Sequence, residues 1–285
     1  MVRGTFGNIR LRNQIVEDEG DWTIHFPSNE KMRIYEASEL YQKNNTPLIV
    51  IAKNDYKVFL TDVDKNKLKK IESELKTKYP DISSEHLDVR SEELWKKSID
   101  KCLSEFGYVD VLCNNAGANY RTGFDNHSID MWEKIISIGL TGAFLGIKAV
   151  VKTMKKKGGV IINLGSLATI KSNDSSPGYS AQKMGLIGLT KSAALAYAKY
   201  KIRCNIVSPG HVDTPFIRSN NEYSPNDWAT SIDNPKNYQN RLNKIPLGKF
   251  LTPDDISKTV LFLCSENASM ITGENLLVDG GTALS

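Results

Sequence analysis

The chain has 285 residues, of which 40% are hydrophobic and 25% charged, as in an ordinary globular protein. Its formal net charge of +4 is mild, so we expect the lysines to lie on solvated helix faces and no nucleic acid to bind. No apolar run reaches the roughly 20 residues of a membrane span. The four cysteines are widely spaced, which predicts no metal site and favours a reducing, cytoplasmic compartment.

From residue 57 onward, short apolar runs alternate with segments of helical periodicity. This alternation predicts an α/β fold with a doubly wound parallel sheet and helices on both of its faces. The predicted strands are 57–61, 84–89, 109–113, 160–164, 202–207 and 275–278. The predicted helices are 65–79, 92–106, 131–154, 179–200 and 253–264. Ligands bind such sheets beyond the carboxyl ends of the strands. The polar or turn residues that fall there are Asp62, Asp88, Asn114, Ser166 and Pro209.

A candidate proton-transfer group lies at the start of the helix predicted over 179–200. Tyr179 and Lys183 are four residues apart and therefore share one helix face. We expect the Lys183 ammonium to lower the pKa of the Tyr179 phenol, so that Tyr179 acts as an acid/base. Ser166 supplies a hydroxyl that can donate to, or accept from, the reacting oxygen. A second Tyr-x-x-x-Lys copy, Tyr197 to Lys201, lacks a matching serine and is interpreted as structural.

Asp62 follows the first predicted strand, where a carboxylate can accept both ribose hydroxyls of an adenosine. The same carboxylate would repel a 2′-phosphate, so NAD is favoured over NADP. The alternative is that Asp62 caps the helix beginning near Lys65, a role for which Asp64 is better placed.

Four further segments carry a resemblance to a known family. They read YVDVLCNNAG (108–117), GVIINLGS (159–166), IRCNIVSPGHVDTP (202–215) and ITGENLLVDGG (271–281). In this order, with the tyrosine and lysine motif between them, they resemble the short-chain dehydrogenase/reductase family over residues 53–285. The resemblance implies a Rossmann-like fold and NAD(P)-dependent interconversion of a secondary alcohol and a ketone, which would be the small-molecule substrate.

The resemblance also assigns roles to the candidate residues. Tyr179 would be the acid/base, Lys183 the residue that tunes its pKa and binds the ribose, and Ser166 the hydroxyl that orients the carbonyl. The cofactor would perform the hydride chemistry. Family members commonly pair through helices like 131–154 and 179–200, which implies a homo-oligomer, either a dimer or a tetramer.

Further residues resemble the family's cofactor contacts. Asp88 and Val89 resemble the adenine contact, although a strand end without a ligand is equally compatible with them. Asn114, Ala116 and Gly117 would let the backbone approach the cofactor, since glycine tolerates unusual φ angles. A plain turn is the alternative at that position. The remaining contacts implied after the strand predicted over 202–207 are Pro209, Gly210, Val212 and Thr214, of which the last two would hold the nicotinamide amide.

Residues 216–243 correspond to the family's substrate lid. Three aromatic residues in this segment could stack on a ring or pack within the protein: Tyr223, Trp228 and Tyr238. The sequence does not decide between a sugar, a steroid-like alcohol and a small ketone.

Two departures from the family concern activity. Gly139 stands where the family has an asparagine that helps hold a water near the lysine, so we expect impaired turnover with solvent partly replacing that side chain. The family's Thr-Gly-x-x-x-Gly-x-Gly loop should lie about 30 residues before Asp62, but the only glycines before Gly107 are Gly4, Gly7 and Gly20. The pyrophosphate cradle is therefore expected to be missing.

Residues 1–52 resemble a different family. The segments VRGTFGNIRLRN, TIHFPSNE, IYEASELYQ and TPLIVIA resemble the start of the mobile C-terminal domain of aconitases, with Arg3 as the counterpart of a substrate-site arginine. No iron–sulfur cysteine motif accompanies them, so hydratase activity is not expected. The alternative to a dehydrogenase is thus an inactive chimeric or misassembled product that retains at most an oligomerisation role.

The segment 48–51 is the candidate replacement for the family's first strand. A parallel crossover to the strand at 57–61 would need a dozen or more residues, and about five are available. We therefore expect an antiparallel hairpin. Loss of the family's first strand is also expected to expose sheet edges in the centre of the fold.

Overall fold

The computed structural model describes residues 22–25, 30–33, 48–51, 57–77 and 81–285. Apart from three short strands, the aconitase-like motifs lie outside the described residues, and so does Arg3. From residue 57 onward the described chain forms a parallel α/β fold, as predicted.

Nine strands are described. They are β1 (Trp22–His25), β2 (Glu30–Arg33), β3 (Leu48–Ile51), β4 (Val58–Asp62), β5 (Ile82–His86), β6 (Val111–Asn114), β7 (Gly159–Leu164), β8 (Ile202–Pro209) and β9 (Asn275–Val278). Strands β1 and β2 form an antiparallel pair. Strands β4 and β5 are parallel, and so are β6, β7, β8 and β9 in that order.

Helices connect these strands. They are α1 (Lys65–Lys76), α2 (Glu92–Phe106), α3 (Ile129–Ile136), α4 (Gly142–Met154), α5 (Pro177–Tyr197), α6 (Pro215–Arg218), α7 (Pro235–Leu242) and α8 (Pro253–Cys264). The helix predicted over 131–154 is confirmed but is interrupted by a π-helical turn, Ser137–Thr141, between α3 and α4. Such π turns occur often at functional sites.

Strand β3 runs opposite to its neighbour. Leu48 pairs with Thr61 and Ile51 pairs with Val58, so the connection between the strands lies at the amino end of β4. This confirms the expected hairpin. Strand β3 lies beside β6, yet the described residues show no hydrogen-bonded pairing between the two, so the ladder is broken there. Because β3 is antiparallel to β4, its carboxyl end lies at the opposite edge of the sheet from the carboxyl ends of the parallel strands.

The main core lies between the central strands and the helices that cover them. Leu112, Ile161 and Cys204 contribute from β6, β7 and β8, and Val150 and Met154 contribute from α4. By length and composition, the stretch 129–154 is apolar enough to cross a membrane, but half of its apolar window is buried inside the protein. It is therefore a core helix, with its apolar face covered by the sheet.

Candidate active site

The carboxyl ends of the parallel strands bring the predicted site residues to one edge of the fold. Asp62 ends β4, Asn114 ends β6 and Pro209 ends β8, while Ser166 lies two residues beyond the end of β7. Asp88 likewise lies two residues beyond β5. The expected placement of these residues at the carboxyl ends of the strands is confirmed, although the predicted strand ends differ from the observed ones by up to three residues.

Tyr179 and Lys183 lie in the first turns of α5. The helix begins at Pro177, whose fixed φ suits the first turn of a helix. Ser166 precedes a short 3₁₀ turn, Leu167–Thr169, and its Oγ accepts a hydrogen bond of 3.2 Å from the amide of Ala168. The Ser166 hydroxyl also lies near enough to the Tyr179 side chain to lower the pKa of its phenol.

Burial governs the ionisation of this group. It raises the pKa of Tyr179, against the opposing effects of Ser166 and of the charge of Arg121. It lowers the pKa of Lys183 to about 8. The ammonium of Lys183 lies 5.4 Å from the centre of the Tyr179 ring and donates a 2.6 Å hydrogen bond to the carbonyl of Leu164. The pKa of Tyr179 is therefore raised and not lowered as expected, because desolvation outweighs the effects of Ser166 and of the Arg121 charge.

Asp62 and Asp64 have separate roles. Asp64 caps α1 through hydrogen bonds from the amides of Asn66 and Lys67. Asp62 accepts a 2.7 Å hydrogen bond from the amide of Asp64. The capping alternative for Asp62 is thereby excluded, and its half-buried carboxylate stands at the end of β4.

Asp88 and Val89 both form hydrogen bonds with neighbouring side chains of the protein. The carboxylate of Asp88 forms a two-pronged ion pair with Arg90, which lowers the pKa of Asp88. The carbonyl of Val89 accepts a 2.9 Å hydrogen bond from the indole of Trp95. These contacts hold the loop after β5 in place.

The loop that follows β6 presents its backbone, and not the Asn114 side chain, at the carboxyl edge of the sheet. The side-chain amide of Asn114 is buried and donates to Asn163 at 2.8 Å, so it belongs to the core. Ala116 and Gly117 follow in the loop. A Cβ at Gly117 would meet nothing within 4 Å, and its φ is not positive. The expectation that Gly117 adopts an unusual φ is therefore wrong. The absence of a side chain at Gly117 leaves free space beside the backbone.

The loop after β8 is held tightly. A Cβ at Gly210 would come within 2.9 Å of the Cα of Asp279, so only glycine allows this approach. Val212 forms a bridge with Leu251. Thr214 precedes α6, and its carbonyl accepts a hydrogen bond from the amide of Ile217. Together with Pro209 at the end of β8, these residues bring a rigid loop to the site.

The space beside Gly139 is filled by a residue that the sequence did not single out. Gly139 lies in the π-helical turn, and a Cβ there would come within 2.5 Å of Cδ of Gln182. The side chain of Gln182 is fully buried, and neither of its polar atoms has a protein partner among the described residues. An amide from α5 therefore occupies the space where solvent was expected to replace the family asparagine.

Two more residues near Tyr179, Arg121 and Phe216, were missed because both are far from it in sequence. The rings of Tyr179 and Phe216 lie 6.3 Å apart, and the guanidinium of Arg121 lies 5.6 Å from the Phe216 ring. Of the lid aromatics, Tyr238 packs on Phe250 at 4.6 Å. Tyr223 lies 5.2 Å from the ammonium of Lys134, and Trp228 is exposed.

The nicotinamide end of an NAD(P) site is compatible with these residues. Ser166, Tyr179 and Lys183 form one cluster, and Lys183 retains ammonium protons beyond the one donated to Leu164. The pyrophosphate end is different. The sequence has no glycine-rich loop before Asp62, and β3 runs in the wrong direction to lead into one. A parallel α/β fold with a serine, a tyrosine and a buried lysine together at its carboxyl edge is typical of nicotinamide-dependent oxidoreductases.

Comparisons with known proteins agree with that class. A profile of the family described as enoyl-(acyl carrier protein) reductase matches residues 50–283. Trans-4-hydroxycyclohexanecarboxylate dehydrogenase of Sinomonas cyclohexanicum is 38% identical over 196 residues, covering 69% of each chain. A 3-alpha-(or 20-beta)-hydroxysteroid dehydrogenase of Mycobacterium bovis is 36% identical over 198 residues, again covering 69% of each.

A solved structure has the same fold. Gluconate 5-dehydrogenase from Burkholderia cenocepacia J2315, in complex with NADP and tartrate, superposes with a TM-score of 0.72 at 24% identity, covering 80% of this chain and 85% of that one. The chain belongs to the short-chain dehydrogenase/reductase family, whose members are NAD(P)-dependent oxidoreductases of alcohols and ketones. Since these relatives are dehydrogenases, they give no support to the alternative of an inert chimera.

Proposed function

We propose that this chain oxidises a secondary alcohol, or reduces the corresponding ketone, at the cluster of Ser166, Tyr179 and Lys183. The observation that carries the proposal is the contact of the Tyr179 side chain with Ser166, beside a buried lysine. The Tyr179 hydroxyl exchanges a proton with the substrate oxygen, and the Ser166 hydroxyl orients that oxygen. Lys183 holds the ribose side of the site with its ammonium. The nicotinamide supplies the hydride chemistry when it is bound.

We propose NAD rather than NADP as the cofactor. The half-buried carboxylate of Asp62 at the end of β4 supports this choice, because it would accept ribose hydroxyls and repel a 2′-phosphate. The contacts proposed besides it are Asp88, Val89, Asn114, Ala116, Gly117, Pro209, Gly210, Val212 and Thr214. Without a glycine-rich loop, several pyrophosphate hydrogen bonds are absent, so binding is expected to be weak.

The proposed domain division is an aconitase-like segment over 1–52 followed by the dehydrogenase over 53–285. The start of the family match at residue 50 supports this boundary. A chain shortened to residues 53–285 tests it. Retained folding and nucleotide binding would agree with a separable segment, while loss of both would contradict the division.

We further propose a cytoplasmic homo-oligomer. Exposed apolar side chains on the two long helices, Phe144 on α4 and Met184 and Leu195 on α5, support self-association. The four free cysteines agree with a reducing compartment. Light scattering after size exclusion would measure the oligomeric state. A monomer at high micromolar concentration would contradict the proposed homo-oligomer.

Turnover tests the proposed reaction. The purified chain is incubated with trans-4-hydroxycyclohexanecarboxylate, the compound named for one relative, and formation of NADH is followed. Tyr179→Phe is expected to lower kcat by about 10²- to 10⁴-fold because it removes the acid/base. Tyr197→Phe, which changes the tyrosine of the second Tyr-x-x-x-Lys motif, is the matched control. Equal rates in the wild type and Tyr179→Phe would exclude the proposed role of Tyr179.

A further inference from the structure

Two arginines that line one cavity have no carboxylate partner among the described residues. Arg121 donates to the hydroxyl of Ser224 at 3.0 Å and to the carbonyl of Phe216 at 3.3 Å. Arg241, on helix α7, donates to the carbonyl of Thr230 at 3.0 Å. Both guanidiniums therefore have neutral partners and retain their full positive charge.

These charges are costly in their surroundings. Burial, together with the charge of Arg241, lowers the pKa of Arg121 to about 10, so the two cations lie close enough to repel each other. Burial lowers the pKa of Arg241 as well. Desolvated like charges are retained in proteins mainly where they have a functional partner. An anion placed between them would offset both the repulsion and the loss of hydration.

One wall of the cavity, formed by Arg121, lies near the proposed acid/base. It is lined by Arg121 and Arg241 together with Ser175, Thr230, Asn237 and Asn240. Arg121 stacks on Phe216, and the ring of Phe216 contacts that of Tyr179. The charge of Arg121 also acts on the pKa of Tyr179. Arg121 thus both lines the cavity and lies close enough to Tyr179 for its charge to act on the phenol.

The volume and the lining limit what fits. The cavity measures about 240 Å³, below the usual range for drug-sized ligands, and every lining residue except Ala229 carries a polar or charged side chain. A small polar molecule is therefore favoured over a steroid-like alcohol. A planar carboxylate matches the fork of a guanidinium in two parallel hydrogen bonds.

We propose that Arg121 and Arg241 bind a carboxylate of the substrate, so that this chain acts on small hydroxy acids and their oxo acids. The inference deepens the proposed dehydrogenase function and rests on it for the reaction, but not for the binding of the anion. Arg121 and Arg241 are specificity-determining residues, and Tyr179 remains the acid/base.

Binding is measured by calorimetry on the full-length chain with two probes of nearly equal shape. The probes are 4-oxocyclohexanecarboxylate and its neutral methyl ester. We expect the acid to bind at least about tenfold more tightly than the ester, because each hydrogen bond to a charged group contributes roughly that factor. Equal affinities for acid and ester in the wild type would overturn the inference without any substitution.

Variants then locate the site. Arg121→Met and Arg241→Met are each expected to weaken binding of the acid at least about tenfold and to leave the ester unaffected. Lys236→Met removes one exposed positive charge from the same helix as Arg241 and is the matched control. An equal loss in Lys236→Met would overturn the inference, since it would reduce the effect to general attraction of anions.

Turnover separates this inference from the proposed function. Binding of the acid without reduction in the presence of NADH would sustain the anion site and contradict the dehydrogenase. Reduction of the ester and of cyclohexanone as efficiently as the acid, with unchanged rates in Arg121→Met, would sustain the dehydrogenase and overturn the anion site.

Discussion

Replacing Lys183 with methionine should abolish activity and, at neutral pH, should not lower stability. The side chain of Lys183 is 5% exposed, and its pKa of about 8 lies below the ordinary 10.5 of an unfolded lysine. This lowering of the pKa corresponds to a free energy of unfolding that is about 3 kcal/mol smaller at any pH where Lys183 is protonated in the folded protein. Below pH 8 both states are protonated and this cost is complete. Between pH 8 and 10.5 the unfolded state binds more protons, so the stability of the wild type rises with pH.

Lys183→Met removes that cost but leaves the Leu164 carbonyl without its 2.6 Å partner, a loss of about 1–3 kcal/mol. We therefore expect the variant to be between unchanged and about 2 kcal/mol more stable at pH 7, and about 1–3 kcal/mol less stable at pH 10.5. Urea unfolding at both pH values measures the difference. Lys191→Met, an exposed lysine on the same helix, controls for the lost charge. A difference between Lys183→Met and the wild type that did not change with pH would refute the reasoning.

Other substitutions test neighbouring parts of the site. Asp62→Ala should weaken NADH binding by roughly 10- to 100-fold and reduce the discrimination against NADPH, as measured by titrating both nucleotides; unchanged affinities would remove Asp62 from the site. Gly139→Ala should cost about 1–3 kcal/mol in urea unfolding, because its Cβ would lie 2.5 Å from Cδ of Gln182. Adding Gln182→Ala should recover most of that cost, and strict additivity would show that the two positions are not coupled.

Local signals allowed much of the fold to be predicted. Helix α2 begins after the cap Ser91 and ends at Gly107, whose φ of 78° is the left-handed conformation typical of a helix end. Strand β5 was misplaced, at 84–89 instead of Ile82–His86, because its polar sequence has no apolar run to mark it. Helix α7 was missed although Asn234 caps it and Pro235 begins it, since the low apolar content of the segment concealed those signals.

The candidate site was predictable only where residues are close in sequence. Tyr179 and Lys183 are one helical turn apart, so their proximity follows from helix geometry. Arg121, Arg241 and Gln182 gain their roles from contacts between separate loops and helices, which no periodicity in the sequence encodes. The direction of the Tyr179 pKa shift likewise could not be predicted from the sequence, because it depends on how deeply the phenol is buried.

Titration of the purified full-length chain with NADH, followed by nucleotide fluorescence, tests most directly whether a nicotinamide binds beside Tyr179. We expect saturable binding with a dissociation constant between roughly 1 μM and 1 mM, weaker with NADPH and weaker again in Lys183→Met. Absence of saturable binding of either nucleotide at several times that upper concentration would contradict the assignment of Ser166, Tyr179 and Lys183 to a working dehydrogenase.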